Sequence, residues 1–285
     1  MILTDSTAAR VQGSTVTGII SVSSTFLQFM QYAALTVSTA ISGTIGIIKN
    51  GIGGLTFSGA CTYTGTTQIN AGQIVLTGTS TLNGVISGNG SITKTGTTTL
   101  TLGGNNTYSG GTVFAPSVAS ATITFSSSNA FGTGLFTAQG PCQIITGGNV
   151  TLPNNFQINA GATMQYRTAG ANTITASGNI AGSGSLNKTG NGTLRLDGTL
   201  TYTGSTTIQG GFIRAIKTTG ASTATATFQS AGLSLVVSFN VPPTAGMTFR
   251  FFQGTTTQTY ASVTLVGAPG RTGTYNSANS TLTIA

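Results

Sequence analysis

Side chains able to do acid–base or nucleophilic chemistry are scarce in this chain. Asp5 and Asp197 are the only carboxylates among 285 residues, and histidine is absent. Glycoside cleavage ordinarily needs two carboxyl groups within about 10 Å of each other, and a calcium-assisted lyase needs several acidic oxygen ligands. Without histidine, neither a Ser–His nor a Cys–His pair can form, and no spacing points to a Ser–Lys dyad. Cys61 and Cys142 fit no metal-ligand spacing and no CxxC motif. No catalytic residue, metal site or cofactor is therefore expected, and the chain reads as non-enzymatic.

The residues that do recur at fixed spacing are Tyr63, Tyr108 and Tyr202, and Lys49, Lys94 and Lys188. Aromatic faces suit sugar rings and ammonium groups suit anionic glycans, so these six are the candidate glycan contacts. The competing expectation, which is favoured, packs the tyrosines on the next coil with their hydroxyls satisfied. It also lines up the lysines as a solvated row that discourages lateral association.

These residues sit in three segments that align without gaps. They are ISGTIGIIKNGIGGLTFSGACTYTGTTQINAG from Ile41, ISGNGSITKTGTTTLTLGGNNTYSGGTVFAPS from Ile86 and IAGSGSLNKTGNGTLRLDGTLTYTGSTTIQGG from Ile180. Gly51, Gly96 and Gly190 coincide, as do Leu55, Leu100 and Leu194, and Gly65, Gly110 and Gly204. The offsets are about 45 residues and about twice that, a period that signals a repeat architecture. Within each copy, short runs such as Thr99-Leu100-Thr101-Leu102 alternate polar and apolar residues, the mark of a strand with one buried face. Glycine and asparagine break the runs into turns. Two coils of roughly 22 residues per repeat follow, with strands of successive coils paired in parallel at about 4.8 Å. A sandwich or a propeller is the competing all-β reading. On the expected coil step, Cys61 and Cys142 lie roughly 17 Å apart, too far for a disulfide, and two free thiols are expected.

The stretch IAGSGSLNKTGNGTLRLDGTLTYTGSTTI closely resembles the autotransporter-associated β-strand repeat of bacterial passenger domains. The middle segment from Ser128 and the end from Gly246 resemble the connecting and closing parts of such passengers, so the likeness spans residues 41–285. The resemblance implies an all-β fold: a right-handed parallel β-helix, or β-solenoid, with capping segments at both ends. The expected organisation is an N-terminal docking or capping segment over 1–40, solenoid repeats over 41–226 and a C-terminal β cap over 227–285. The resemblance implies no single activity, since fold and function separate.

Only 4% of residues are charged, yet the net charge is +8. The cations are scattered rather than clustered, so no nucleic-acid partner is expected. Residues 19–37 carry no charge, but Ser, Thr and Gln interrupt them, and no membrane insertion is expected. Phe26, Leu27, Phe29, Met30 and Tyr32 would form an exposed apolar patch in this stretch and are the candidate assembly contacts. The opening MILTDSTAARVQGS shows no compact apolar leader, and nothing after residue 220 has the length of membrane-barrel strands. These features lead to the expectation of a building block of a virion or extracellular appendage, such as a phage fibre, spike or capsid decoration. It would self-associate as a homo-oligomer, with a trimer as one form, or join other virion or surface proteins. A bacterial surface adhesin of passenger type is the alternative, and a module binding cell-surface glycan is the third reading.

Overall fold

The computed structural model describes residues 25–285 except 31, 118–120, 230–233, 257, 258 and 261, together with four short strands between Ile2 and Val22. No helix occurs among the described residues. The chain divides into two compact units, Met1–Ile145 and Thr146–Ala285. Each is a stack of parallel coils, so the β-solenoid expected from the sequence is the architecture found.

In the first unit, one ladder runs through Phe26–Met30, Gly46–Asn50, Thr67–Ile69 and Ile86–Ser87. A second runs through Leu35–Val37, Leu55–Phe57, Gln73–Leu76, Ser91–Lys94, Thr112–Phe114 and Phe136–Ala138. A third joins Ser80–Leu82, Thr99–Leu102 and Thr122–Phe125. Every one of these pairings is parallel. Ile47 faces Thr67 and Leu35 faces Leu55, twenty residues on, so one coil takes the length expected from half a repeat.

Period-two alternation then sorts the side chains. Inward positions stack into columns along each ladder, such as Leu35–Leu55–Ile74–Ile92 and Val37–Phe57–Leu76. All seven of these residues are at most 2% exposed. Each side chain in such a column touches its equivalent in the next coil, so the core is one-dimensional rather than globular. Coil backbones approach closely at the recurring Gly65, Gly110 and Gly204, where an added Cβ would lie 2.2, 2.5 and 2.2 Å from backbone atoms of the preceding coil. None of the three has a positive φ, so space and not dihedral freedom demands glycine there. Gly51, Gly96 and Gly190 answer a different need, with φ of 78°, 70° and 73° in the turns.

The second unit repeats the scheme. Thr163–Thr168, Ser185–Thr189 and Thr206–Ile208 form one parallel ladder, and Val150–Leu152, Thr173–Ala176, Thr193–Leu196 and Phe212–Thr219 form another. Parallel winding stops at Phe212–Thr219, which turns at Gly220 and pairs antiparallel with Ser222–Gln229. A further antiparallel strand, Ser234–Phe239, and a small sheet of Thr248–Arg250, Gly273–Asn276 and Thr281–Ile284 follow. The Thr206 N–H donates to the Thr255 carbonyl at 2.7 Å, so this tail covers backbone that the last parallel coil would leave unpaired. Phe228 anchors it, with the rings of Phe251, Phe252 and Tyr275 at 5.5, 5.1 and 5.6 Å.

The segment expected to dock or cap at 1–40 continues the coils where it is described. Phe26–Met30 and Leu35–Val37 pair in parallel with the following coil, in register with the repeats. Leu27 and Phe29 are wholly buried, and Phe29 meets Phe57 edge-on at 5.7 Å. Asp5 and the side chains of residues 1–24 lie outside the described residues.

Candidate functional site

The six recurring candidates all point inward. Tyr63 is 1% exposed, and Tyr108, Tyr202, Lys49, Lys94 and Lys188 are at 0%. An enclosed ring or ammonium offers no face to a glycan, so their assignment as glycan contacts is corrected. The tyrosine rings pack in the core, and each hydroxyl meets a threonine four residues on. Tyr63 to Thr67, Tyr108 to Thr112 and Tyr202 to Thr206 span 2.7, 2.6 and 2.5 Å. Each pair bridges the close-approach glycine and satisfies a hydroxyl that an apolar column would otherwise strand. Burial holds all three phenols above their usual pKa.

The lysines do not form a solvated row. Lys49 stands in the column Phe29–Lys49–Ile69, Lys94 in Leu76–Lys94–Phe114 and Lys188 in Tyr166–Lys188–Ile208. The stem fills the column and the ammonium turns back on carbonyls of its own turn. Lys49 Nζ donates to Asn50 O, Gly51 O and, in the next coil, Ala71 O at 3.2, 2.7 and 3.1 Å. Lys188 Nζ donates likewise to Thr189 O, Gly190 O and Gly210 O at 2.6, 2.8 and 3.3 Å. Lys94 Nζ reaches Thr95 O and, at 3.2 Å, Thr98 Oγ1. Burial lowers the pKa of Lys49, and pushes those of Lys94 and Lys188 down to about 8. Lys49 and Lys188 thus clamp a turn to the next coil and Lys94 closes its own turn, which are structural tasks.

Of the five candidate assembly residues, Leu27 and Phe29 belong to the core, and that part of the assignment is corrected. The other three are open to different degrees: Phe26 is half-buried, Met30 is 37% exposed and Tyr32 78%. Both thiols are free and buried. Cys61 stacks between Ile41 and Ser80, and the Cys142 thiol donates to Phe114 O at 3.1 Å. Burial pushes both thiols up to about 12, which removes the nucleophilic thiolate at neutral pH. Among the described residues no three His, Cys, Asp or Glu side chains gather in a metal-binding group.

An outward feature that repeat reading missed lies on the second unit. Thr175, Arg195, Arg214 and Thr227 are successive register partners across four strands, all facing out. Beside them runs a second row with Thr193 opposite Phe212. Together they line a groove of about 480 Å³. Phe212 is 39% exposed, whereas the other phenylalanines are buried or half-buried. The Arg195 guanidinium donates through Nε to Asp197 Oδ1 at 2.7 Å, whereas Arg214 has no carboxylate partner among the described residues. A sequence signal was available: Arg195 and Arg214 are one coil step apart, each flanked by inward residues.

Three segments, 47–76, 92–115 and 186–215, match the model of the passenger-associated-transport-repeat. No curated protein and no solved structure matches the chain. Each matched segment holds one of the three buried lysines in a Lys-x-Gly turn. The match is to a passenger repeat of surface-exposed domains and lends nothing to a virion or phage-fibre assignment. The chain carries the passenger-associated-transport-repeat in three copies on a parallel β-solenoid.

Proposed function

We propose that this chain is a non-enzymatic, surface-displayed passenger-type domain that serves a bacterial cell as an adhesive or structural element. The observation that supports it most is the coincidence of the three matched segments with stacked parallel coils, whose recurring lysines and tyrosines are spent on the interior. A repeat whose signature residues all hold coils together is a scaffold, and its outer face is free to carry recognition. Two free, buried thiols also suit an oxidising exterior, because neither is exposed to a cross-linking partner.

The test is display. The chain is fused between a secretion leader and an outer-membrane barrel in a Gram-negative host, and whole cells are treated with external protease and antibody. Full-length chain reached from outside, resistant once folded, is the expected result. Retention inside the envelope would overturn the proposal.

A further inference from the structure

We infer that the outward groove of Arg214, Phe212 and their threonine neighbours binds an acidic polysaccharide, taking a uronate carboxylate on Arg214 and a sugar face on Phe212. This deepens the proposed surface role and rests on it for its biological meaning. Four adjacent strands give the groove a floor about 14 Å long at the usual strand spacing. Its long row offers hydroxyl, guanidinium, guanidinium and hydroxyl in turn, from Thr175, Arg195, Arg214 and Thr227.

Charge selects the ligand class. Asp197 is the one acidic side chain among the described residues, and it hydrogen-bonds Arg195. That leaves Arg214 as the uncompensated guanidinium of the groove, and its planar fork matches one carboxylate through two parallel hydrogen bonds. Nucleic-acid binders commonly neutralise about 6–10 phosphates, so one free cation is a poor footprint for such a polymer. A uronate polymer needs what is present: sparse positive charge, an aromatic face and hydroxyls to exchange hydrogen bonds with sugar hydroxyls. Phe212 supplies the face, and Thr193 stands directly opposite it. The arrangement is unlike the rest of the coil surface, where the recurring aromatic rings are enclosed.

The experiment is calorimetric titration of the purified full chain with oligogalacturonate, with its fully methyl-esterified form and with a single-stranded oligonucleotide. Binding of the acid form alone, weakened by salt, is expected. R214Q should weaken it at least tenfold and R214K by less, while R271Q, at an exposed arginine away from the groove, should leave it unchanged. The inference is overturned if the wild-type chain ignores oligogalacturonate, binds the ester equally well, or prefers the oligonucleotide. It is equally overturned if R214Q binds like wild type, or if R271Q loses as much as R214Q. Far-UV circular dichroism of each variant guards against misfolding. Failure of the titration leaves the display result standing, and failure of display leaves the titration readable, so the two ideas fall separately.

Discussion

Replacing Gly65 with alanine should damage the stack out of proportion to one methyl group. The new Cβ would lie 2.2 Å from the Ile45 carbonyl oxygen, 2.4 Å from its carbon and 2.6 Å from the Gly46 nitrogen. Carbon atoms rest at about 3.5–4.0 Å from their neighbours, so the two coils must part locally by about 1 Å. Both sides are pinned. Gly65 N–H donates to Ile45 O at 3.1 Å, Thr64 N–H to Gly43 O at 2.9 Å and Ile47 N–H to Thr66 O at 2.8 Å. Such bonds contribute about 0.5–1.5 kcal/mol each, and overpacking costs about 1–3 kcal/mol. Weakening two of the bonds on top of the steric term gives a loss of about 2–4 kcal/mol. Gly54→Ala is the matched control, because its nearest neighbours are Gln73 side-chain atoms at 3.6 and 3.8 Å. That change should stay within about 0.5 kcal/mol. Urea unfolding followed by far-UV circular dichroism compares the two. Stacked coils need not unfold in one step, so midpoints rather than extrapolated energies are compared. Equal midpoints for the two variants would refute the close-approach argument.

Two more outcomes follow from the interior. Tyr108→Phe should cost about 1 kcal/mol by removing the hydroxyl that meets Thr112 at 2.6 Å. In a double-mutant cycle with Thr112→Val, the pair should cost less than the sum of the singles, and strict additivity would rule out the coupling. The lysines set a pH dependence. Folding lowers the pKa of Lys94 and Lys188 to about 8 from an unfolded value of about 10.4. Between these values the unfolded chain holds more protons on the two lysines, so their share of the stability should climb as pH rises from 8 towards 10.4. It is opposed by the buried thiols and phenols, whose raised pKa values leave the unfolded chain with fewer protons. Urea midpoints across this range test it; the climb should shrink in a Lys94→Met/Lys188→Met variant, and an unchanged slope would count against the buried-ammonium account.

Repeat spacing and alternation were enough to read the coil length, the parallel pairing and the solenoid. The same alternation already held the answer for the lysines. Ile47 and Lys49, Ile92 and Lys94, and Leu186 and Lys188 are two apart, so each lysine shares the inward face of its neighbour. The general preference of lysine for solvent outweighed that parity in the sequence reading, because the carbonyls able to receive the ammonium come from a turn and a second coil. Leu27 and Phe29 were misread in the same way, as an apolar patch rather than as alternating core positions. The tyrosine partners were legible as Tyr-x-Gly-x-Thr, present at Tyr63, Tyr108 and Tyr202, once the glycine is seen as the point where the chain doubles back. The arginine groove was the least legible. It requires the coil step between Arg195 and Arg214 and also the antiparallel return at Gly220 that brings Thr227 alongside.

The inward lysines have one more effect, on digestion. From residue 25 to residue 145, Lys49 and Lys94 are the only basic side chains, and both are wholly enclosed. A trypsin-like enzyme must draw the basic side chain into its own pocket before it cuts, and here that side chain is enclosed in an inward column with its ammonium held by a turn. Over this span, cleavage after a basic residue therefore has to wait for the stack to open, and the rate of tryptic cutting reports the opening of the coils rather than the accessibility of any loop.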